Sequence, residues 1–242
     1  MATHKMVNHD AWVAARKKHL VKEKEFTRLR DQLSRERREL PWELVEKDYV
    51  FEGENGKLTL SDAFEGRGQL VVYHAMFNPD TAGPNTTWTE DAPCFVCSWW
   101  MDNFDRNTIH LNHRDITMVA VSRAPYPKLA TYKKRMGWTF PWFSSAGTDF
   151  NFDYHVSFTE DELESGKVEY NYRLEEIART EFPGISVFLK DEEGRIVHTY
   201  STYARGLDML NVAYHYMDLV PKGRDEAEIG PMWIRRRDEY PD

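Results

Sequence analysis

The sequence predicts an α/β fold in which one mixed sheet is covered by helices on both faces. Three observations carry this expectation. The runs Leu70–Tyr73 and Ile116–Val121 are short and continuously apolar, as strands buried on both faces are. Helix-like stretches follow each of them, from Cys94 to about Asn107 and from Tyr126 to Met136. Late in the chain, Ile185–Lys190 and Arg195–Tyr200 flank the turn Asp191–Glu192–Glu193–Gly194, the signature of an antiparallel hairpin. Parallel strands alternating with helices and closed by a hairpin form such a sheet.

The first element is a long amphipathic helix. Asp10 stands as its N-cap before Ala11–Trp12–Val13, and Phe26, Leu29, Leu33 and Leu40 recur at helical spacing among Lys, Arg and Glu. Pro41 ends it, because the residue before a proline disfavours helix. The apolar stripe suits docking or pairing with a second copy. Tyr49–Phe51 and Lys57–Leu60 flank Gly53–Glu54–Asn55–Gly56 and read as a second hairpin. After Leu70–Tyr73 comes a polar loop from Asn78 to Pro93, long enough to suggest a functional role. Pro141–Ser144 reads as a third strand of the parallel set. Residues 146–182 form an irregular insertion with an acidic helix near Glu160–Glu164. A final helix is expected from Arg205 to Val220, with a polar tail beyond it. The expected organisation is a helical extension over 1–45, a domain over 46–220 and a tail over 221–242.

Composition narrows the function. The chain has 242 residues, enough for a substantial core, and only two cysteines, which excludes a disulfide-stapled scaffold. Residues 1–40 carry 11 basic and 6 acidic side chains, net +5; the rest carries 21 and 34, net −13. An acidic body argues against nucleic acid as a partner. The longest apolar run, Ala11 to Ala15, is too short for a membrane span or a signal segment, so no membrane partner is expected and a cytoplasmic location is.

The chemistry points to Cys94–Phe95–Val96–Cys97, which holds both cysteines just after a strand and loop and at the start of a helix. Such spacing beside a βαβ pattern is a redox signature. A disulfide across so short a loop would constrain the unfolded chain little, so it reads as a switch rather than a staple. Free N–H groups at a helix start favour a thiolate, which assigns Cys94 as nucleophile and Cys97, one turn deeper, as resolving thiol.

The stretches LTLSDAFEGRGQLVVYHAMF, PCFVCSWWMDNF and FPGISVFLKDEEGRI resemble the two halves of a thioredoxin-like domain. Over most of residues 10–240 the chain more closely resembles a bacterial thioredoxin-like family known as a domain of unknown function. The segments that carry this are EKDYVFEGENGKLTL, VAVSRAPYPKLATYKKRMGWTFPWFSSAGTDFNFDYHVSF and HTYSTYARGLDMLNVAYHYMDLVPKGRDE. The resemblance implies a thioredoxin-like sheet and a predicted dithiol–disulfide oxidoreductase. It also maps the cis-proline that opens the penultimate strand onto Pro183. Phe95–Val96 between the cysteines, preceded by Ala92–Pro93, departs from the small and proline residues of thioredoxin, which counts against a standard thioredoxin reductase as electron donor.

Further candidates surround this motif. Ser122 and Arg123 lie at the carboxyl end of a parallel strand, where ligands bind in open α/β sheets, and Arg123 would hold a substrate carboxylate or support the thiolate. Trp99, with Trp88 and Trp100, would build a substrate pocket under the long loop. His74 is either a proton acceptor for Cys97 or a core histidine. His110 and His113 would complete a zinc site with the cysteines, a reading weakened by the chain path between them. Ser144–Asn151 either lines a pocket or forms local turns, and Asn85–Thr86–Thr87 matches a glycosylation acceptor that a cytosolic chain would not use. The expected function is thiol–disulfide exchange with a thiol or disulfide substrate, an external electron donor and no cofactor. The alternatives are a thiol peroxidase and a small-molecule or metal binding module on the same fold.

Overall fold

The computed structural model describes residues 4–78, 87–176, 179–226 and 230–241. The chain divides into two units, 1–41 and 42–242.

The first unit is helix α1, His9–Arg38. Its N-cap is Asn8 rather than Asp10: Asn8 is extended, and its side-chain oxygen accepts from the Ala11 N–H at 3.0 Å. Asp10 instead places a negative charge in the first turn, while Arg35, Arg37 and Arg38 face the negative end of the dipole. The helix stops at Arg38, with Glu39 as C-cap, before it reaches Pro41. None of its residues is buried, and the stripe that includes Trp12, Phe26, Leu29 and Leu33 is exposed.

The second unit is built on one mixed sheet. In chain order its elements are β1 (Glu43–Leu44), β2 (Val50–Gly53), β3 (Gly56–Thr59), β4 (Gln69–His74), α2 (Phe95–Met101), α3 (Thr108–Asn112), β5 (Ile116–Ser122), α4 (Tyr126–Met136) and β6 (Trp142–Ser144). There follow α5 (Phe150–Asp153), α6 (Glu160–Glu164), β7 (Val168–Tyr170), β8 (Arg173–Glu175), β9 (Gly184–Lys190), β10 (Ile196–Tyr203) and α7 (Val212–Met217). Among the described residues the strand order is β1-β10-β9-β4-β5-β6-β2-β3, with β7 and β8 as a separate pair. β4, β5 and β6 are parallel, whereas β9 runs antiparallel to β4 and β10 antiparallel to β9. The set β6-β5-β4-β9-β10, with helices in its crossovers, is thioredoxin-like. β2 and β3 extend the β6 edge through a two-residue turn between Gly53 and Gly56.

Side chains alternate across β4 and divide the core. Val71 and Tyr73 meet the cluster that contains Cys94, Cys97, Trp100 and Met101. Leu70 and Val72 meet Phe51, Phe64, Phe150 and Phe188 on the opposite face. The insertion adds a third cluster in which Val156, Phe158, Val168 and Tyr170 pack on Tyr203. Its acidic helix is α6, started by a capping box between Thr159 and Glu162.

Three expectations are corrected. The helix from Cys94 ends at Met101, and turns lead to the short α3. Asn103 and Asn107 turn their amides back onto the carbonyls of Trp99 (2.9 Å) and Asn103 (2.6 Å), competing with a continuous helix. The single helix over Arg205–Val220 is instead a 3-10 stretch, Ala204–Leu210, followed by α7. Asn211 breaks the two with an extended backbone and caps α7 through Ala213 N–H at 3.1 Å. The peptide before Pro183 is trans, not cis. Phe182 is held from behind by its N–H bond to Val156 O (2.9 Å), and the Pro183 carbonyl accepts from Tyr170 Oη (2.8 Å), so the insertion fixes this corner with the ordinary isomer.

Candidate active site

β4 delivers the chain to Ala75, Met76 and Phe77, all buried. The start of α2 is tied back to this segment and to the end of the long loop. Cys94 N–H donates to Met76 O at 3.0 Å, and Phe95 N–H donates to Thr87 O at 3.2 Å. Cys94 is the N-cap of α2, and its carbonyl accepts from both Ser98 N–H (2.9 Å) and Ser98 Oγ (3.1 Å). Ser98 Oγ also bonds the Tyr132 hydroxyl at 3.0 Å, which couples α2 to α4. Trp100 Nε1 donates to Leu207 O at 3.0 Å and anchors the far side of the helix.

Cys94 and Cys97 are free thiols, fully buried and 4.1 Å apart. Their surroundings treat them differently. Burial pushes the Cys94 thiol up, but hydrogen bonds from the Cys97 thiol, the Thr87 hydroxyl and the backbone N–H groups of Cys97 and Val96 outweigh it, and the pKa is lowered to about 7. Thr87 Oγ1 is buried with no other hydrogen-bond partner among the described residues, so its hydroxyl is available to the Cys94 thiolate. Burial and the charge on Cys94 push the Cys97 thiol well above the usual range. The Tyr73 hydroxyl and the Met76 N–H, the latter 3.4 Å from Cys97 Sγ, oppose that rise.

A cavity of about 1210 Å³ opens beside the pair. Cys94 lines it with Tyr73, Met76 and Thr87, while Cys97 does not. Pro183 and Phe182 form another part of its wall, so Pro183, which the resemblance implies for substrate binding, lines the same cavity as Cys94. The Cys94 side chain nonetheless has no surface open to water, so a reactant reaches the sulfur only when the groups over it part locally.

The other nominated residues are not at this cavity. Trp99 turns away and packs edge-on against Trp100, Tyr214 and Trp233 at 4.8–5.5 Å; its neighbour Trp100 lines the cavity instead. Ser122 is fully buried, with its hydroxyl donating to Ala75 O (2.6 Å) and accepting from Trp142 Nε1 (3.0 Å), so it braces strands rather than substrate. Arg123 lies 3.9 Å from the buried Glu181 and over the Phe152 ring at 4.6 Å, a tie into the insertion. His74 follows Tyr73 on β4 and therefore faces away from the thiols. It stacks on Tyr154 and bonds Ser186 Oγ at 2.9 Å, which makes it a core histidine and not a proton acceptor for Cys97. His110 lies on α3 and His113 is its C-cap, at the opposite end of the parallel strands from Cys94. No group of three or more His, Cys, Asp or Glu among the described residues is arranged to hold a metal ion. The Ser144–Asn151 segment satisfies its own polar groups, as in Ser145 Oγ to Asn151 Oδ1 at 2.8 Å. Trp88 is buried, whereas Asn85, Thr86 and most of the loop before them lie outside the described residues.

His74 has a consequence for stability. Burial first, and the nearby His198 second, lower its pKa to about 3, against an ordinary 6.5. Below pH 6.5 the unfolded chain takes up a proton that the folded chain refuses. The stabilisation is therefore intact above about pH 6.5 and is lost as pH falls toward 3, by at most about 1.4 kcal/mol per pH unit. Urea unfolding between neutral pH and pH 4 checks this: His74→Gln should lose less stability on acidification than the wild type, and equal losses would exonerate His74.

Several wall residues carried no sequence signal strong enough to nominate them. Thr87 lies within the polar loop, Tyr170 and Arg179 belong to the insertion, and Tyr214 and Arg224 lie beyond β10. The one available hint was the dense mixed charge of Lys222–Glu226, which reads equally well as a solvated tail.

A family-wide sequence profile described as bacterial protein of unknown function (DUF899) matches residues 1–240. The chain belongs to this family. No curated protein matches it. Among solved structures, the DUF899 chain is similar to peroxidoxin BcpB from Mycobacterium tuberculosis (14% identity, TM-score 0.43, covering 71% of this chain and 93% of that one). It is also similar to a peroxiredoxin Q mutant from Xanthomonas campestris (14%, 0.42, 72% and 96%). A third likeness is to the mitochondrial 2-cys peroxiredoxin of Plasmodium falciparum (11%, 0.43, 72% and 92%). At such distances the chemistry of this DUF899 protein has to be argued from its own site. Among its described residues, no helix is long and apolar enough to cross a membrane.

Proposed function

We propose that this protein is a thiol–disulfide oxidoreductase that cycles Cys94 and Cys97. The observation that carries the reading is that two thiols lie 4.1 Å apart at the start of α2 and that only Cys94, the N-cap, lines the cavity; the acidity expected of Cys94 agrees with it. The Cys94 thiolate attacks a substrate disulfide; a Cys94–substrate S–S bond forms and one substrate thiolate leaves. Bonding removes the negative charge on Cys94, and with it one of the influences that keep Cys97 protonated. Cys97 then loses its proton, helped by the Tyr73 hydroxyl and the Met76 N–H, and attacks Cys94. The Cys94–Cys97 disulfide forms, the second substrate thiolate leaves, and two electrons have passed to the substrate. An external dithiol returns them, and no cofactor is required. A dithiol that acts as a reductant suits a reducing compartment, and the proposed location is the cytoplasm.

In the peroxidase alternative Arg123 would support the Cys94 thiolate, but it is engaged with Glu181 and Phe152. The test is a titration of the protein across thiol–disulfide buffers, followed by mass spectrometry and by reduction of a disulfide substrate. The expected result is a reversible intramolecular disulfide and turnover that Cys94→Ser abolishes. A pair that never oxidises reversibly, or a Cys94→Ser protein with full activity, would end the proposal. Oxidation by peroxide far faster than by any disulfide would favour the peroxidase.

A further inference from the structure

We propose that the substrate is a low-molecular-weight disulfide of an amino acid or peptide, recognised through both its carboxylates and its ammonium groups; this rests on the dithiol reading above. Two features of the cavity lead there. The first is its form. Cys94 is wholly buried on the wall of an open cavity of about 1210 Å³, roomier than the roughly 300–1,000 Å³ of ordinary small-molecule sites and so able to take a ligand with two arms. A disulfide held in a folded protein surface would have to reach the same buried sulfur.

The second is the chemistry of the wall. The segments after β10 and the insertion contribute charges whose partners differ. Arg224 is spent within the protein: it grips Asp218 with Nε and Nη2 at 2.8 and 2.9 Å, reaches Asp208 with Nη1 at 2.8 Å, and lies over the Tyr214 ring at 3.7 Å. It therefore stiffens the wall rather than serving a ligand. Lys222 and Arg179 also line the cavity, and neither has an ion-pair partner among the described residues; Arg179 only approaches the Phe182 ring, at 5.9 Å. They are the cations available to a ligand's carboxylates. Glu226 is the reverse case. Tyr214 Oη and Trp233 Nε1 each donate to its Oε1 at 2.9 Å, which fixes a carboxylate on the wall that has no ion-pair partner among the described residues. It is the group available to an ammonium. Tyr170 and Phe182 add apolar surface to the wall of the same cavity. A ligand that satisfies all of them carries both signs of charge around a disulfide. Its reaction is the one already balanced: one S–S bond of the ligand is exchanged for Cys94–Cys97, and two thiols leave.

The experiment compares the rates at which the reduced full-length protein is oxidised by four small disulfides, each corrected for its rate with a free thiol. Oxidised glutathione carries both charges, cystamine only positive, dithiodiglycolate only negative, and hydroxyethyl disulfide none. Insulin is the protein-disulfide arm. The expected result is a rate with oxidised glutathione at least tenfold above the other three and above insulin. In Arg179→Ala/Lys222→Ala and in Glu226→Gln, the ratio of the glutathione rate to the hydroxyethyl disulfide rate should collapse toward one. Because the readout is a ratio within each protein, a general loss of activity does not imitate it. Corrected rates within twofold of one another, a preference for insulin, or variants that keep the wild-type ratio would overturn the inference. If no disulfide oxidises the pair, the dithiol reading itself fails; if hydroxyethyl disulfide reacts and charge makes no difference, only this inference does.

Discussion

Cys97→Ser is expected to accumulate a covalent adduct between Cys94 and the substrate thiol, while its turnover falls on the order of 10³-fold. Cys94→Ser should lose turnover as completely and accumulate no adduct. The difference follows from the positions of the two thiols. Cys94 lines the cavity and is the acidic member of the pair; Cys97 lies beneath it, within hydrogen-bonding distance of the Met76 N–H. With serine at 97 the first exchange proceeds and the second has no nucleophile. With serine at 94 the remaining thiol is buried, held protonated and off the cavity wall. Intact-protein mass spectrometry after exposure to a small disulfide checks both variants. An adduct on Cys97 in the Cys94→Ser protein would reverse the assigned roles.

Phe188→Ala should cost about 3–5 kcal/mol in unfolding free energy. Phe188 is fully buried in the middle of β9, where it pairs with Leu70 of the central strand β4. Its ring meets those of Phe150, Tyr154 and His198 at centroid distances of 5.3–6.2 Å, so truncation leaves a void bounded by aromatic groups that are themselves held by the sheet and the insertion. The contrasting substitution is Leu29→Ala on α1, whose side chain is 52% exposed; it should change stability by less than about 0.5 kcal/mol. Urea unfolding measures both. A loss below about 1 kcal/mol for Phe188→Ala would mean that this face of the sheet closes over the gap, contrary to the close packing of protein interiors.

How much of this was legible in the sequence depended on whether a signal was local. Strands β4 and β5 announce themselves because both faces are buried and nearly every side chain is apolar. The β9–β10 hairpin is marked by its turn, and the cysteine pair by its place after β4. The final helix was misread because one residue, Asn211, outweighs an otherwise helical stretch through a single cap. Ser122 ends β5 and Arg123 follows it, at the strand end the sequence predicts, but both are bound within the protein and neither lines the cavity. Their partners, Ala75 and Trp142 for one and Glu181 and Phe152 for the other, come from distant parts of the chain. His74 is different, because the alternation of a strand contains the answer: if Tyr73 faces the thiols, His74 must face away. The charged wall of the cavity was the least legible part. Lys222–Glu226 reads as a solvated tail until Arg224 is seen to bind Asp208 and Asp218, which fixes the segment over the site.

The central claim is that the protein makes one thiol acidic at the expense of the other, and ultraviolet thiolate absorbance followed through a pH titration of the reduced protein tests it most directly. The expected result is a first thiolate with a midpoint near 7, absent from Cys94→Ser, and a second that forms only far above the ordinary cysteine range. Two thiols that titrate together at or above the free-cysteine value of about 8.5 would contradict it.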